Sequence, residues 1–127
     1  MNILVTGSNG QLGNEMVRVS GKSKDRYVFT DIAELDITKL DAVLSLVRKE
    51  QIDVIVNCAA YTNVDKAEDD EKTADLINHV AVGYLAVAAK SVNATLIHIS
   101  TDYVFRGINY VPFTEEDMTE PTGVYGK

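Results

Sequence analysis

The chain is short of several things at once. It has one cysteine, Cys58, two prolines and no tryptophan in 127 residues. A single cysteine cannot close an internal disulfide, so the fold must rest on an apolar core. Basic residues are scarce, with 12 Lys and Arg against 19 Asp and Glu, a net charge of −7. With no basic surplus to neutralise phosphates, neither a nucleic-acid nor an anionic-membrane partner is expected. Apolar runs such as Ile3-Leu4-Val5 and Val54-Ile55-Val56 are a few residues long, against the ~20 needed to span a bilayer. Met1-Asn2 leads straight into a strand-like run, so no signal peptide is expected. The two histidines, His79 and His98, cannot build a metal site by themselves, and no zinc or iron site is written here. A magnesium ion held by exposed carboxylates is not legible in the sequence. A cytoplasmic protein without disulfides is the default.

What is present is an alternation of apolar runs and amphipathic stretches, uninterrupted by repeats or low-complexity segments. The length suits one domain, residues 1–127. Asn2–Thr6 reads as a strand, Gly7–Gly13 as a glycine loop entering a helix that stops near Gly21, and Tyr27–Thr30 as a second strand ending at Asp31. Asp36–Glu50 carries Leu40, Val43, Leu44 and Val47 at helical spacing, with Asp36 or Thr38 as the N-cap. Asp53–Asn57 is a third strand, apolar throughout as in a sheet buried on both faces. Ala74–Ser91 reads as one long helix with Ile77, Val80, Ala81, Tyr84, Leu85 and Ala88 on a stripe. Thr95–Ser100 is a fourth strand, and residues 106–123 an exposed loop. This order predicts an α/β fold, a Rossmann-type doubly wound parallel sheet. Ligands in such sheets sit beyond the carboxyl ends of the strands.

The residues after each strand carry the chemistry. Gly7, Gly10 and Gly13 allow a tight turn, close approach of backbone to a pyrophosphate, and close packing of helix on strand. The helix N-terminus then offers N–H groups and a positive dipole end to phosphate. The spacing is G-x-x-G-x-x-G rather than G-x-G-x-x-G. Asp31, some twenty residues on, is placed to accept hydrogen bonds from an adenosine ribose and to repel a 2′-phosphate, which favours NAD(H) over NADP(H). Asp36-Ile37 reaches the adenine edge, unless Asp36 is simply a helix cap. The small residues Ala59 and Ala60 let a flat ligand lie near the backbone, or merely pack. Cys58 reads as a small buried residue, and Asp65–Lys72 as a solvated loop and helix start.

Several spaced segments then make a pattern: Gly10-Gln11-Leu12-Gly13, Ala59-Ala60-Tyr61-Thr62-x-Val64-Asp65-x-Ala67-Glu68, and Ser100-Thr101-Asp102-Tyr103-Val104-Phe105 followed by Tyr125. The chain resembles the N-terminal half of extended short-chain dehydrogenases/reductases, and within them the dTDP-4-dehydrorhamnose reductase family. The resemblance implies reduction of the C4 keto group of dTDP-4-dehydro-L-rhamnose by a reduced nicotinamide, so the expected partner is a small nucleotide sugar, and a homodimer is compatible with the pattern. By similarity, Gly10, Gln11, Leu12, Asp31, Asp36, Ile37, Ala60, Tyr61 and Thr62 would contact the cofactor, with Gly7, Gly13, Ala59 and Tyr125 beside them. Thr101 and Asp102 would meet the substrate. Tyr125 would be the general acid and Thr101 would orient the same oxygen. A phenol's ordinary pKa is about 10, and the family lowers it with a lysine four residues on. Lys127 is the wrong step from Tyr125 for that role on a helix, so the expectation is a fragment, truncated before the last strands and the substrate domain and inactive alone. Rival readings are an epimerase or dehydratase of the same superfamily, or a dinucleotide-binding regulatory subunit without turnover. Dehydratases typically carry glutamate after the Thr-Asp pair, where Tyr103 stands here.

Overall fold

The computed structural model describes residues 1–107 and 110–127. Four strands form one parallel sheet: β1 (Asn2–Thr6), β2 (Arg26–Thr30), β3 (Val54–Asn57) and β4 (Thr95–His98), in the order β2-β1-β3-β4. The chain thus leaves β1 in opposite directions to build β2 and β3, and the crevice between them is the topological switch point where α/β sheets bind ligands.

The sheet has two unequal faces. Side chains alternate along a strand, so Leu4 and Ile55 point one way, and Ile3, Val5 and Val56 the other. The first face packs under α2 (Leu40–Lys49) and α5 (Ala81–Ser91), where Val43, Val47, Leu85 and Ala88 have no solvent exposure. The second face is a smaller cluster, with Met16 of α1 (Gln11–Ser20) and the stacked Tyr27 and Phe29 rings 5.7 Å apart. Truncating Leu85, wholly buried, removes packing on the main face, a change that costs about 2–5 kcal/mol at such positions.

Local differences from the sequence reading have physical causes. Helix α2 starts at Leu40, not Asp36, and its N-cap Lys39 makes no side-chain cap. Asp36 instead closes a turn, its Oδ1 accepting from Thr38 N at 2.9 Å and from Thr38 Oγ1 at 2.6 Å. The segment Asp65–Lys72, read as a solvated loop and helix start, is helical on both sides of Asp70. Asn63 caps a short helix, α3 (Val64–Asp69), by accepting from Lys66 N at 3.0 Å, and α4 (Glu71–Asp75) follows. From α4 the helix runs on to Ser91 through one π-helical turn, Leu76–Val80. Strand β4 ends at His98 rather than Ser100. The predicted loop 106–123 is irregular wherever it is described, and its positions 108–109 lie outside the described residues.

Candidate functional site

Building begins at the glycine loop. Gly7 has φ +63°, a left-handed conformation, and a Cβ there would stand 2.6 Å from the Ala59 backbone. A Cβ on Gly13 would lie 2.5 Å from Ser8 Cα. These two glycines bring the loop, the end of β3 and the first turn of α1 into direct contact, and side chains cannot replace them. Gly10 is the N-cap of α1, which has neither a capping side chain nor an acid in its first turn. Its leading N–H groups therefore keep their hydrogen-bonding capacity for an anion. Gln11 and Leu12 are exposed on that turn. This cradle fits a dinucleotide pyrophosphate.

Beside the loop lies a cleft of about 440 Å³, which gathers Gly7, Gly10, Asp31, Asp36, Ile37, Ala59 and Ala60. Asp31 does more than face outward. Its Oδ2 accepts from Asn9 N at 2.9 Å and its Oδ1 from Ile32 N at 2.8 Å, so the carboxylate braces the glycine loop. Ile37 is 8% exposed and belongs to the core as well as to the cleft wall. The hydroxyl and N–H of Thr38 hold the Asp36 carboxyl below its ordinary pKa. Cys58 lines the same cleft, and burial pushes its thiol pKa up.

A second cleft of about 240 Å³ brings together Thr101, Tyr125 and Ala60 with Asn78, His98 and Ser100. Ala60 borders both clefts, so one elongated ligand could pass from the first into the second. Thr101 caps a 3₁₀ turn, Asp102–Val104, by accepting from Tyr103 N at 3.2 Å. Asp102 is exposed and receives only a long contact, 3.4 Å, from the Thr101 hydroxyl; it does not line the second cleft. Tyr125 sits on a 3₁₀ turn, Val124–Gly126, its ring edge-on to Tyr103 at 5.4 Å. Lys127 borders this cleft too.

Three residues that the sequence reading missed hold these parts in place. Asn78, on the π-helical turn, clamps the Tyr61 backbone: its Oδ1 accepts from Tyr61 N at 2.8 Å and its Nδ2 donates to Tyr61 O at 3.0 Å. Tyr61 and Thr62 line neither cleft, and the buried Tyr61 hydroxyl has no partner among the described residues. Glu68 of α3 accepts from Val124 N at 2.8 Å, tying the Tyr125 turn to a helix 56 residues away. Asn57 is 1% exposed and bridges Thr6 and His98. The π turn and these long-range amide contacts have no local sequence signal. Among the described residues, no group of three or more His, Cys, Asp or Glu side chains is placed to hold a metal ion.

This arrangement matches known proteins over its whole length. The RmlD substrate binding domain family matches residues 1–127. The chain belongs to that family. Among the relatives, the dTDP-4-dehydrorhamnose reductase of Burkholderia thailandensis is 44% identical over 126 residues, covering 99% of this chain and 42% of that one. A solved dTDP-4-dehydrorhamnose reductase of Clostridium acetobutylicum superposes with a TM-score of 0.97 at 43% identity, over 99% of this chain and 45% of that one. Another, from Bacillus anthracis in complex with NADP, has a TM-score of 0.95 at 36% identity, over 98% of this chain and 45% of that one. The chain therefore spans less than half the length of the curated relatives it matches. The α/β fold with a Rossmann-type parallel sheet is the one expected from the sequence, and the likeness to dTDP-4-dehydrorhamnose reductases is as the motifs imply.

Proposed function

We propose that the chain carries the dinucleotide-binding half, and the proton-donating residues, of an enzyme that uses NAD(P)H to reduce dTDP-4-dehydro-L-rhamnose to dTDP-L-rhamnose. The observation that carries this reading is the shared wall at Ala60, which joins the Asp31 cleft to the cleft holding Thr101 and Tyr125. Gly7, Gly10 and the uncapped α1 N-terminus would hold the pyrophosphate, with Gln11, Leu12 and Gly13 offering backbone rather than side chains. Asp31 would accept from the adenosine ribose, while Asp36, Ile37 and Ala59 flank the base. Tyr61 and Thr62 would act through the backbone that Asn78 clamps.

When bound, the reduced nicotinamide supplies a hydride to the sugar carbonyl. The carbonyl oxygen gains negative charge as this happens, and Tyr125 would donate the proton that neutralises it. The Thr101 hydroxyl accepts from Tyr103 N and makes only the long contact to Asp102, so its proton is available to orient the same oxygen. Asp102 would meet the sugar from the rim. The Asp31 carboxylate favours NADH, because a 2′-phosphate would meet a like charge; the Bacillus anthracis relative was solved with NADP, so both coenzymes enter the test. The same reading gives a cytoplasmic protein, compatible with a homodimer, whose partner is a small nucleotide sugar.

The test is to mix a protein of its relatives' full length that carries this chain with NADH or NADPH and dTDP-4-dehydro-L-rhamnose and follow coenzyme oxidation. Turnover that falls about 10²–10⁴-fold in Tyr125→Phe, the range for losing a positioned general acid, is the expected result. Saturable coenzyme binding with no oxidation, in a protein of its relatives' full length, would overturn the reductase reading in favour of a dinucleotide-binding module without turnover.

A further inference from the structure

The sheet register sets a polar row across its carboxyl edge: Thr6 pairs with Asn57, and Asn57 with His98. Within that row the proton positions follow from one donor that cannot reverse. Ala59 N–H can only donate, and it reaches Asn57 Oδ1 at 3.2 Å. The Thr6 hydroxyl donates to the same oxygen at 2.6 Å. The oxygen end of the Asn57 amide is thereby assigned, and its NH₂ end faces His98 Nδ1 at 3.0 Å. An amide NH₂ has no lone pair to offer, so Nδ1 must be the acceptor. The ring is then the neutral tautomer, with its proton on Nε2. Asn57 is buried, and its other contacts hold it rigidly. His98 is exposed and borders the cleft of Thr101 and Tyr125.

We propose that the Thr6–Asn57 pair fixes His98 as an Nε2–H donor for an acceptor oxygen of the ligand in the Thr101–Tyr125 cleft. His98 is a binding residue in this account, and no proton leaves it. Because Ala60 links the two clefts, the first candidate for that oxygen is on the far end of a dinucleotide whose adenosine lies by Asp31. A hydroxyl of a nucleotide sugar offers the same chemistry. The ligand part of the inference rests on the function proposed above; the tautomer does not.

Two measurements on the whole chain test it. A long-range ¹H–¹⁵N correlation spectrum reads which ring nitrogen of His98 carries the proton. Nε2–H is expected, with a change to Nδ1–H in Asn57→Asp, whose carboxylate accepts where the amide donates. Nδ1–H in the unaltered chain overturns the proposal. Titrations of His98→Phe and His98→Gln with NADPH, and with dTDP-rhamnose in the presence of NADP, then locate the acceptor. Loss of one neutral hydrogen bond predicts NADPH binding weakened about 2–12-fold in His98→Phe, with near-normal affinity in His98→Gln, whose amide keeps a donor. If only dTDP-rhamnose binds more weakly, the acceptor is on the sugar and the donor role stands. If the unaltered chain binds both probes and neither variant changes either affinity, His98 is not a ligand donor. If the unaltered chain binds neither probe, the proposed function falls, and His98's ligand role falls with it.

Discussion

The cleft beside Asp31 and the cleft beside Tyr125 share Ala60 as a common wall, yet they rest on different supports. The first stands on adjacent strand ends and on glycines that meet backbone directly, with Leu35 and Ile37 of the main core forming its wall. The second stands on β4, an edge strand with only Leu96 half-buried, and on two three-residue 3₁₀ turns. The second is held by the pairing of β4 with β3, by the close approach of Gly126 to the Tyr103 backbone, and by long-range polar contacts from Glu68 to Val124, from Asn78 to Tyr61 and from Asn57 to His98. On the proposed function, the half that would hold phosphate and adenosine is integral to the fold, and the half that would carry the reaction is attached to it by identifiable ties. Changes in the first should cost folding and binding together. Changes in the second should uncouple them.

The largest effect belongs to Gly7. Replacing it with alanine forces a side chain into a left-handed φ, a cost of about 1–2 kcal/mol, and also into the Ala59 backbone 2.6 Å away. We expect a fall in Tm together with loss of coenzyme binding, read by thermal unfolding and by coenzyme fluorescence, which no tryptophan obscures. Unchanged binding in a stable Gly7→Ala protein would mean that the loop does not form the pyrophosphate site. Glu68→Ala should behave in the opposite way. It removes a charge-assisted hydrogen bond at an exposed site, about 1 kcal/mol, and frees the Tyr125 turn. NADH affinity should stay within about twofold while the Tyr125–Tyr103 ring contact is lost from the NMR spectrum, and Glu68→Gln, which still accepts from Val124 N, should restore it. Equal damage to coenzyme binding would erase the distinction between the clefts.

Asp31 sharpens the comparison from the cofactor's side. Asp31→Asn keeps an acceptor oxygen but removes the charge that would face a 2′-phosphate. Like charges near a protein surface repel by about 1–4 kcal/mol, so the preference should move toward NADPH by about tenfold or more, measured as the ratio of the two dissociation constants. No movement would leave Asp31 as a brace for the glycine loop alone.

The difference between the clefts also explains what the sequence could tell. Strand β1 and the glycine loop declare themselves through local spacing, because a strand end, a turn and a helix start lie within a dozen residues, and Asp31 does so by its place at the end of the second strand. The core stripe on α5 was legible for the same reason, with Ala81, Leu85 and Ala88 at helical spacing. Asp36 misled because a capping residue and a turn-closing residue use the same carboxylate chemistry. The π turn at Leu76–Val80 inserts one extra residue in a stretch whose composition reads as ordinary helix. Asn78, Asn57 and Glu68 act across 17, 41 and 56 residues respectively, separations over which no periodicity carries a signal. Thr101 and Tyr125 were singled out through motif resemblance alone, since neither turn that carries them has a regular pattern.

Acidification offers a test of intermediate size. The Thr38 hydrogen bonds lower the Asp36 pKa, and Arg26, through its hydrogen bond and ion pair, lowers that of Glu50. A depressed carboxyl contributes stability that is fully present above its unfolded pKa and is lost as pH falls through the folded value. Stability from urea melts should therefore hold through neutral pH and decline below the ordinary carboxylate range. Thr38→Val should flatten the part due to Asp36, which lines the first cleft, and leave the second cleft's ring contact unchanged. A decline that begins near neutral pH would point to histidine rather than to these carboxyls.

The smallest expected effect concerns Cys58, which touches the first cleft without holding it together. Burial raises its thiol pKa, so the thiolate that reacts with alkylating agents is rarer than in a free cysteine. Modification by iodoacetamide should be slower than that of a small thiol at the same pH, and slower again with NADH bound, because Cys58 lines the cleft the coenzyme would fill. Adding dTDP-rhamnose alone should give no protection, since Cys58 does not border the second cleft. Protection by the sugar and not by the coenzyme would reverse the assignment of the two clefts, and mass spectrometry of the modified peptide reads the rates directly.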